Sequence, residues 1–240
     1  MSDNRFNRME ILYGADACAR LAQSRVLVCG LGAVGGHALE ILARSGVANF
    51  MIADSDVFDI TNIGRQIGAL ESTVGKSKTQ TMRARVLDIN PAANVECFDS
   101  FIDANTIAQM LEYRPDIIVD AIDTIASKIS LMKAALSCDI KLVASMGAAR
   151  KTDAARVKTC ALPKTNSCPV AFKIRKELRR AGLKATFNCV WSDEIPNDES
   201  HVASGSENSK KIIGSSPAIT ALFGVMLADL AIKEILNNAL

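Results

Sequence analysis

Glycines and charged side chains in the first third of the chain have the spacing of a nucleotide-binding site. Gly30, Gly32 and Gly35 form a GxGxxG pattern directly after the apolar run Val26 to Cys29. Such glycines let the backbone approach a phosphate, and the unpaired amides of the helix that follows point at the anion. A second apolar run ends on Asp54, where a dinucleotide-binding fold places a carboxylate on the ribose. These residues predict a nucleotide ligand without saying which one.

The polar residues after Asp54 are suited to phosphoryl chemistry. They are Asp56, Asn62, Arg65, Gln66 and Lys78. Arg65 can hold two phosphate oxygens with its planar guanidinium, and Lys78 can place a positive charge on a leaving pyrophosphate. Asp123 follows a buried strand that ends at Asp120, so it suits the magnesium ion that accompanies ATP. Each charge taken alone could be a solvated surface residue, but their order around one turn favours ATP chemistry.

The same residues carry a family resemblance. The succession of GxGxxG, DxDxxxxxNxxRQ, VGxxK and DAID (Asp120 to Asp123) resembles the adenylyltransferases related to ubiquitin-activating enzymes, which attach AMP to a carboxylate. That group includes the activating enzymes of molybdopterin and thiazole biosynthesis. Within that group, the chain is most similar to the tRNA threonylcarbamoyladenosine dehydratases. This similarity is carried by Arg5 to Gly14, Ser145 to Ala148 and Lys164 to Arg180. The resemblance covers nearly the whole chain.

The resemblance implies a division of roles within the site. ATP lies across the glycine turn, Arg65, Lys78 and Asp123 are catalytic, and Asp123 holds magnesium together with the phosphates. The implied ATP contacts are Gly30, Gly32, Gly35, Asp54, Asp56, Asn62, Arg65, Gln66, Lys78, Asp123 and Thr124. In this family the N-terminal arm of one subunit reaches the nucleotide of its partner, which implies a homodimer in which Arg5 acts in trans.

The resemblance also implies the reaction. The carboxylate of threonylcarbamoyl on adenosine 37 of tRNA is adenylated, and the carbamoyl nitrogen of the same group then closes a hydantoin ring. No protein nucleophile is needed, and a sulfur-transfer protein is a possible partner. The chain departs from the family pattern at Ala149 and Arg150, where relatives usually carry Gly-Asn before a lysine. Substrate contacts near Arg150 are therefore not carried over.

One segment has a local excess of positive charge, although the net charge of the chain is only +2. Between Lys164 and Lys184 a single acid, Glu177, stands among many basic residues. Such a segment suits a phosphate backbone, and a solvated helix face is the alternative. The residues predicted to contact tRNA are Lys173, Arg175, Lys176, Arg179 and Arg180.

Composition and hydrophobic pattern predict an α/β fold. Of the chain, 49% is hydrophobic and only 5% aromatic, as in a Rossmann-like, doubly wound, mainly parallel sheet, which we expect further strands to extend. The pattern predicts strands at 26–29, 50–53, 94–98, 116–120, 141–144, 156–160 and 187–191, and helices at 6–24, 76–88, 104–112, 126–138 and in the basic segment. We expect one adenylation domain over 1–240, with an N-terminal helical arm (1–24), a nucleotide-binding core (25–148) and a substrate-side extension (149–240). Residues 193–211, which are polar and include His201, predict a mobile crossover loop.

Three further features of the sequence concern zinc binding, cellular location and a possible membrane span. The seven cysteines include no CxxC pair, which predicts that no structural zinc is bound. The N-terminal residues lack an apolar signal sequence, so we expect a cytoplasmic protein. The long uncharged stretch Ile212 to Ala228 could suggest a membrane span, but Pro217 near its start and Asp229 after it favour a buried core helix.

Three alternative functions remain open from the sequence. A related enzyme could activate a sulfur-carrier or ubiquitin-like protein through a cysteine, for which Cys189 is the candidate. An NAD-dependent dehydrogenase needs only the glycine turn and Asp54, but it gives Arg65 and Lys78 no role. A nucleotide-binding or tRNA-binding module without catalysis would give no ATP-dependent product.

Overall fold

The computed structural model describes residues 4–196, 201–202 and 212–236. Within them, seven strands form one sheet in the order β3-β2-β1-β4-β5-β7-β6, parallel except for the antiparallel edge strand β6. The strands are β1 (Arg25–Cys29), β2 (Asn49–Ala53), β3 (Asn94–Phe98), β4 (Ile117–Asp120), β5 (Lys141–Ser145), β6 (Val157–Ala161) and β7 (Asn188–Ser192). A separate ladder joins β8 (His201–Val202) to β9 (Ile212–Ile213). The predicted Rossmann-like fold class is confirmed.

Helices cover both faces of the sheet, as the doubly wound prediction requires. They are α1 (Asn7–Tyr13), α2 (Ala15–Gln23), α3 (Gly35–Arg44), α4 (Lys78–Ile89), α5 (Ala104–Leu111), α6 (Ile125–Ser137), α7 (Pro169–Arg180) and α8 (Pro217–Leu236). Val26 and Val28 pack into the core on the side of α3 and α8, whereas Leu27 and Cys29 pack on the side of α5, α6 and α7. Both sides of β1 are therefore buried, which explains its uninterrupted apolar run.

The strand order reverses between β1 and β4. β1 pairs with β2 on one side and with β4 on the other, so the connections leave in opposite directions and open a crevice at the carboxyl ends of the strands. The glycine turn follows β1, and Asp123 follows β4. The topology thus brings the two halves of the predicted nucleotide site to one edge of the sheet.

Helix α8 closes the fold from the side of α3. Ile219, Phe223 and Leu227 are buried in the core, so the prediction of a core helix near the carboxyl end is confirmed. A Cβ placed on Gly224 would lie 2.4 Å from the carbonyl oxygen of Val34, so α8 packs directly against the glycine turn. Across the described part of the chain, the helices are too short or too polar to cross a membrane.

Two of the predicted elements are wrong in detail. The single helix expected over 6–24 is two helices, because Gly14 has φ 84° and interrupts the helical backbone. In the expected loop over 193–211, His201 lies in strand β8 rather than in loop, and the ladder partner is β9. Residues 197–200 and 203–211 of that loop, to which the prediction of mobility mainly applies, lie outside the described residues.

Candidate active site

Two glycines of the turn, Gly30 and Gly35, are packed so tightly that larger residues do not fit. The Gly30 amide donates to the carbonyl of Ala53 at 2.8 Å, and Gly30 has a φ of +86°, which favours glycine. A Cβ on Gly30 would lie 2.8 Å from the Ala121 carbonyl oxygen, and one on Gly35 would lie 1.8 Å from the Gly30 oxygen. Gly35 begins α3, and no described side chain caps this helix N-terminus. Amides at an uncapped N-terminus are suited to bind an anion.

Asp54 contacts both the glycine turn and the ammonium of Lys78. Its Oδ2 accepts a hydrogen bond from the Leu31 amide at 2.7 Å, and its Oδ1 accepts one from the Asp56 amide at 2.9 Å. The Lys78 ammonium lies 4.0 Å from Asp54 Oδ1 and 2.8 Å from Asp56 Oδ2. Burial raises the pKa of the Asp54 carboxyl, and Lys78 and the two amide hydrogen bonds oppose this rise. The structure therefore brings together three of the residues that the sequence singled out.

Lys78 is a buried cation at the first residue of α4. Its side chain is only 7% exposed, and its amide donates to the Asp56 carbonyl at 3.0 Å. The partial positive charge of a helix N-terminus disfavours a lysine, so packing and the neighbouring acids must hold it there. A lysine held in one position in this way is suited to bind a polyphosphate.

Asn62, Arg65 and Gln66 lie on the loop between β2 and α4. Asn62 Oδ1 accepts a hydrogen bond from the Asp59 amide at 3.2 Å, so Asn62 shapes the loop itself. The guanidinium of the half-buried Arg65 donates to the Thr61 carbonyl at 3.0 Å. Gln66 is buried, and its Oε1 has no hydrogen-bond partner among the described residues. Its Nε2 lies 3.8 Å from a Cβ built on Gly32, so this unsatisfied amide borders the glycine turn.

Beneath Asp123 lies a buried ion pair that sequence reasoning did not find. Asp120 Oδ1 accepts a hydrogen bond from the Ile122 amide at 3.0 Å, and Oδ2 lies 2.8 Å from the ammonium of Lys128. Both side chains are almost completely buried. Burial raises the pKa of Asp120, while Lys128 and the amide hydrogen bond oppose the rise. The only sequence signal was a lysine in the first turn of the helix that follows Asp120, eight residues along the chain.

The ion pair fixes a turn that presents Asp123 at the surface. Asp123 and Thr124 are exposed, and the Thr124 hydroxyl donates to Asp123 Oδ1 at 3.3 Å. This turn packs against Gly30 through Ala121, so the carboxylate and the glycine turn share one edge of the sheet. In the part of the chain that is described, His, Cys, Asp and Glu side chains form no group of three or more that could hold a metal ion by themselves.

The predicted tRNA contacts lie on α7, but they are not equivalent. Lys173, Lys176 and Arg179 are exposed, and Arg180 is exposed and paired with Glu177 at 2.7 Å. Arg175 instead donates to both the carbonyl and the hydroxyl of Thr165, and so it braces the helix against the preceding turn.

Arg5 lies away from the glycine turn of its own chain. Its guanidinium donates to the carbonyl of Ile89 at 2.7 Å, at the carboxyl end of α4, whereas Lys78 lies at the other end of that helix. A cation is favoured at a helix carboxyl end. The predicted role of Arg5 in trans concerns a second subunit and stays a prediction.

Cys189, the candidate nucleophile of one alternative, is not accessible. It is fully buried in β7, and its thiol lies 3.5 Å from the carbonyl oxygen of Cys160. Burial raises the pKa of the Cys189 thiol strongly, and the neighbouring thiols of Cys160 and Cys168 raise it further. A thiol in this state is a poor nucleophile.

Comparisons with known proteins cover almost the entire chain. A sequence model described as the ThiF family matches residues 6–239. The tRNA threonylcarbamoyladenosine dehydratase of Bacillus subtilis is 37% identical, over 98% of this chain and 96% of its own length. The crystal structure of E. coli tRNA N6-threonylcarbamoyladenosine dehydratase in complex with ATP has a TM-score of 0.88 at 30% identity, covering 97% of this chain and 94% of that one. The molybdopterin-synthase adenylyltransferase of E. coli is 32% identical, but over only 58% of this chain and 56% of its own.

Proposed function

This chain belongs to the ThiF family, and we propose that it is an ATP-dependent tRNA threonylcarbamoyladenosine dehydratase. The observation that carries the proposal is the match over 97% of the chain to a dehydratase structure that contains ATP, together with the convergence of Lys78, Asp54 and Asp56 beside the glycine turn. The resemblance drawn from the sequence to this family is confirmed.

ATP fits the glycine turn for reasons internal to this structure. The uncapped N-terminus of α3 offers amide donors to a phosphate. At the same turn, the buried Oε1 of Gln66 has no partner among the described residues and could accept a hydrogen bond from the ligand. We assign the ribose to Asp54, whose carboxylate oxygens keep lone pairs beyond the two amide hydrogen bonds. Asp56 orients Lys78, while Asn62 shapes the loop that carries Arg65.

The proposed first step is adenylation of the substrate carboxylate. A carboxylate oxygen attacks the α-phosphorus of ATP, a new oxygen–phosphorus bond forms, and the bond to the β-phosphate breaks to release pyrophosphate. Negative charge grows on the leaving group, where Lys78 and Arg65 can stabilise it. Arg65 must exchange its hydrogen bond with the Thr61 carbonyl for one with phosphate.

The proposed second step closes the ring without a protein nucleophile. The carbamoyl nitrogen of the same substrate attacks the acyl adenylate, a carbon–nitrogen bond forms, and AMP leaves as the nitrogen gives up its proton. Burial of Cys189 supports this direct route, because a thioester would need an exposed thiolate. The site then has only to hold the reacting groups close and to exclude water.

Asp123 is the residue that fits magnesium. It is an exposed carboxylate at the edge of the sheet, and magnesium is commonly held by one or two carboxylates together with substrate phosphates. When bound, magnesium would neutralise phosphate charge. The Asp120–Lys128 pair orients the turn that presents this carboxylate.

The outward face of α7 is the proposed tRNA surface. Its exposed cations, Lys173, Lys176 and Arg179, supply the charge that a phosphate backbone requires, and such binding weakens steeply with salt. Arg175 contributes by bracing the helix. We place the protein in the cytoplasm together with its tRNA substrate, as one adenylation unit over 1–240.

A homodimer would complete the proposed site. The exposed apolar residues Ile11 and Leu12 of α1 offer a surface to a second subunit, and Arg5 begins this arm. In the dimer, Arg5 would leave the α4 carbonyl and reach the partner's phosphates. A sulfur-transfer protein stays a proposed partner without a site of its own.

Substitution of Lys78 tests the proposal. Lys78→Ala should lower the ATP-dependent release of pyrophosphate with substrate tRNA by on the order of a hundredfold or more, because charge stabilisation on the leaving group is lost. Lys76→Ala, which removes an exposed cation two residues away, is the matched control and should leave the rate unchanged. Mass analysis of the tRNA nucleosides measures the cyclic product. Normal pyrophosphate release by Lys78→Ala would contradict the assignment.

The second candidate is an adenylyltransferase for a carrier protein. The partial match to a molybdopterin-synthase adenylyltransferase favours it, but the inaccessible thiol of Cys189 does not. Mass spectrometry for a protein adenylate or a thioester on Cys189 separates the two. A dehydrogenase leaves the buried Lys78 without a role, and a titration with NADH against ATP tests that reading.

A further inference from the structure

Helix α7 exposes a large aromatic side chain within its cationic face. Ala171, Ile174 and Leu178 face the core, whereas Phe172 is 62% exposed. Residues four and seven positions apart share one side of a helix, so Phe172 lies on the same side as Lys176 and Arg179. A single exposed apolar side chain is ordinary. An exposed ring surrounded by cations is the composition of a surface that binds single-stranded nucleic acid.

The position of α7 relates this ring to the candidate active site. The start of the helix packs on the loop after β5, since a Cβ built on Gly147 would lie 3.1 Å from the Val170 side chain. This loop leaves the same carboxyl edge of the sheet as the glycine turn and Asp123. Phe172 is therefore in the first turns of the helix, at the end nearest the proposed chemistry.

We propose that Phe172 stacks on an unpaired base of the RNA substrate, while the neighbouring cations hold its phosphates. Sequence-specific RNA recognition mostly uses splayed bases of single-stranded loops that stack on aromatic side chains. The inference rests on the proposed function, and it adds to that function a base-stacking contact. A protein partner would instead favour an apolar patch with fewer charges around it.

Stacking and charge can be separated by salt dependence. Phe172→Ala should weaken binding of an anticodon stem-loop RNA by on the order of tenfold at every salt concentration, with an unchanged slope of log affinity against log salt. Phe172→Trp should keep the affinity. Lys176→Ala should instead make the slope shallower by about one. Phe101→Ala removes another exposed phenyl ring, 58% exposed and outside the cationic face, and serves as the matched control.

Each outcome of this experiment has one meaning. If Phe172→Ala binds RNA like the wild type while Lys176→Ala does not, the stacking contact is wrong and the proposed function stands. If the wild-type protein binds RNA without salt dependence, the tRNA surface of the proposed function is wrong. If Phe172→Ala changes only the sedimentation of the protein, Phe172 belongs to an interface between copies of the chain.

Asp99, which directly follows β3, accepts hydrogen bonds from three side chains at the start of α4. Asp99 Oδ1 accepts hydrogen bonds from the hydroxyls of Ser77, at 2.9 Å, and of the fully buried Thr79. Its Oδ2 accepts one from the Gln80 amide group at 3.1 Å. The residues on both sides of Lys78 are thus tied to one carboxylate from a neighbouring strand.

The geometry points to Asp99 as a positioning residue for Lys78. The backbone of Ser77 and Lys78 is already joined to that of Val57 and Asp56, so the hydroxyl contacts of Asp99 complete the frame around the lysine. As an anion at the N-terminus of α4, Asp99 also favours the helix that Lys78 disfavours. This inference rests on the proposed role of Lys78.

A double-mutant cycle tests whether Asp99 positions Lys78 or only stabilises the fold. Asp99→Ala and Thr79→Val should lower kcat for pyrophosphate release about tenfold at saturating ATP, whereas Thr79→Ser should keep it. In the Lys78→Ala background, Asp99→Ala should cause no further loss of kcat. Asp103→Ala removes the cap of α5 and should lower Tm without changing kcat. The inference would be overturned if Asp99→Ala kept the full kcat, or if Asp99→Ala lowered kcat by the same factor in the Lys78→Ala background as in the wild type. Normal activity of Lys78→Ala alone would overturn the proposed function.

Discussion

Glu40 is a buried carboxylate that links the two helices whose N-termini border the candidate site. It lies in α3 and accepts hydrogen bonds from Arg85 of α4 and from Arg44 of its own helix, the latter at 2.6 Å. Burial raises the pKa of Glu40, but the hydrogen bonds and charges of the two arginines outweigh it, so the pKa lies below its ordinary value of 4.5. Glu40 therefore ties together the helix that begins at the glycine turn and the helix that begins at Lys78.

This depressed pKa predicts how Glu40 contributes to stability. The contribution is present above the unfolded pKa near 4.5 and is lost as pH falls through the folded pKa. Near pH 7, Glu40→Gln should lower the free energy of unfolding by about 1–3 kcal/mol, because hydrogen bonds to a charge are weakened. Urea denaturation should show the difference shrinking below about pH 4. The exposed Glu71→Gln is the control, and a difference that stays constant with pH would contradict the explanation.

At the scale of elements, the Asp120–Lys128 pair holds β4 and α6 together beneath Asp123. Lys128 is 2% exposed and Asp120 is fully buried, so each depends on the other for neutralisation. The pair fixes the start of α6 and the turn before it. Buried pairs of this kind stabilise little compared with apolar residues, but breaking one is costly.

Replacing one member of the pair should destabilise the protein much more than replacing both. Lys128→Met leaves a buried carboxylate alone and should lower the free energy of unfolding by about 3–5 kcal/mol. Asp120→Asn together with Lys128→Met removes both charges while the amide oxygen still accepts from Ile122, so it should recover most of the loss. Chemical denaturation measures both variants. A double variant as unstable as Lys128→Met would contradict this account.

The sequence predicted helices and strands correctly where the local residue pattern determines them. It failed where contacts between residues distant in sequence determine the structure. β1 follows from its apolar run, and α5 from Asp103, which caps it as expected. The N-terminal helix was wrong because its apolar residues Ile11 and Leu12 are 75% and 71% exposed, so core packing does not hold the two turns in one helix. Lys128 and Glu40 were missed because a buried charge looks like a solvated one until its partner is known.

At the scale of the whole molecule, the sheet order could not be read from the chain. The strand predicted at 156–160 does extend the sheet as β6, but the sequence did not show that β7 would insert between β5 and β6 and leave β6 antiparallel at the edge. Such pairings depend on contacts distant in sequence, which periodicity does not encode. The position of the glycine turn and of Asp123 at one edge was predictable, because strand ends in this fold meet there.

Helix α8, the last helix described, has a consequence for how the protein is made. Its Gly224 lies against the Val34 carbonyl of the glycine turn, and its apolar residues close the face of the sheet that α3 begins to cover. Synthesis proceeds from the N-terminus at about 5–20 residues per second, so a nascent chain carries this face open until α8 has left the ribosome. Translation products that end before α8 accordingly leave the glycine turn without the packing of Gly224, and they expose apolar residues of the sheet to aggregation.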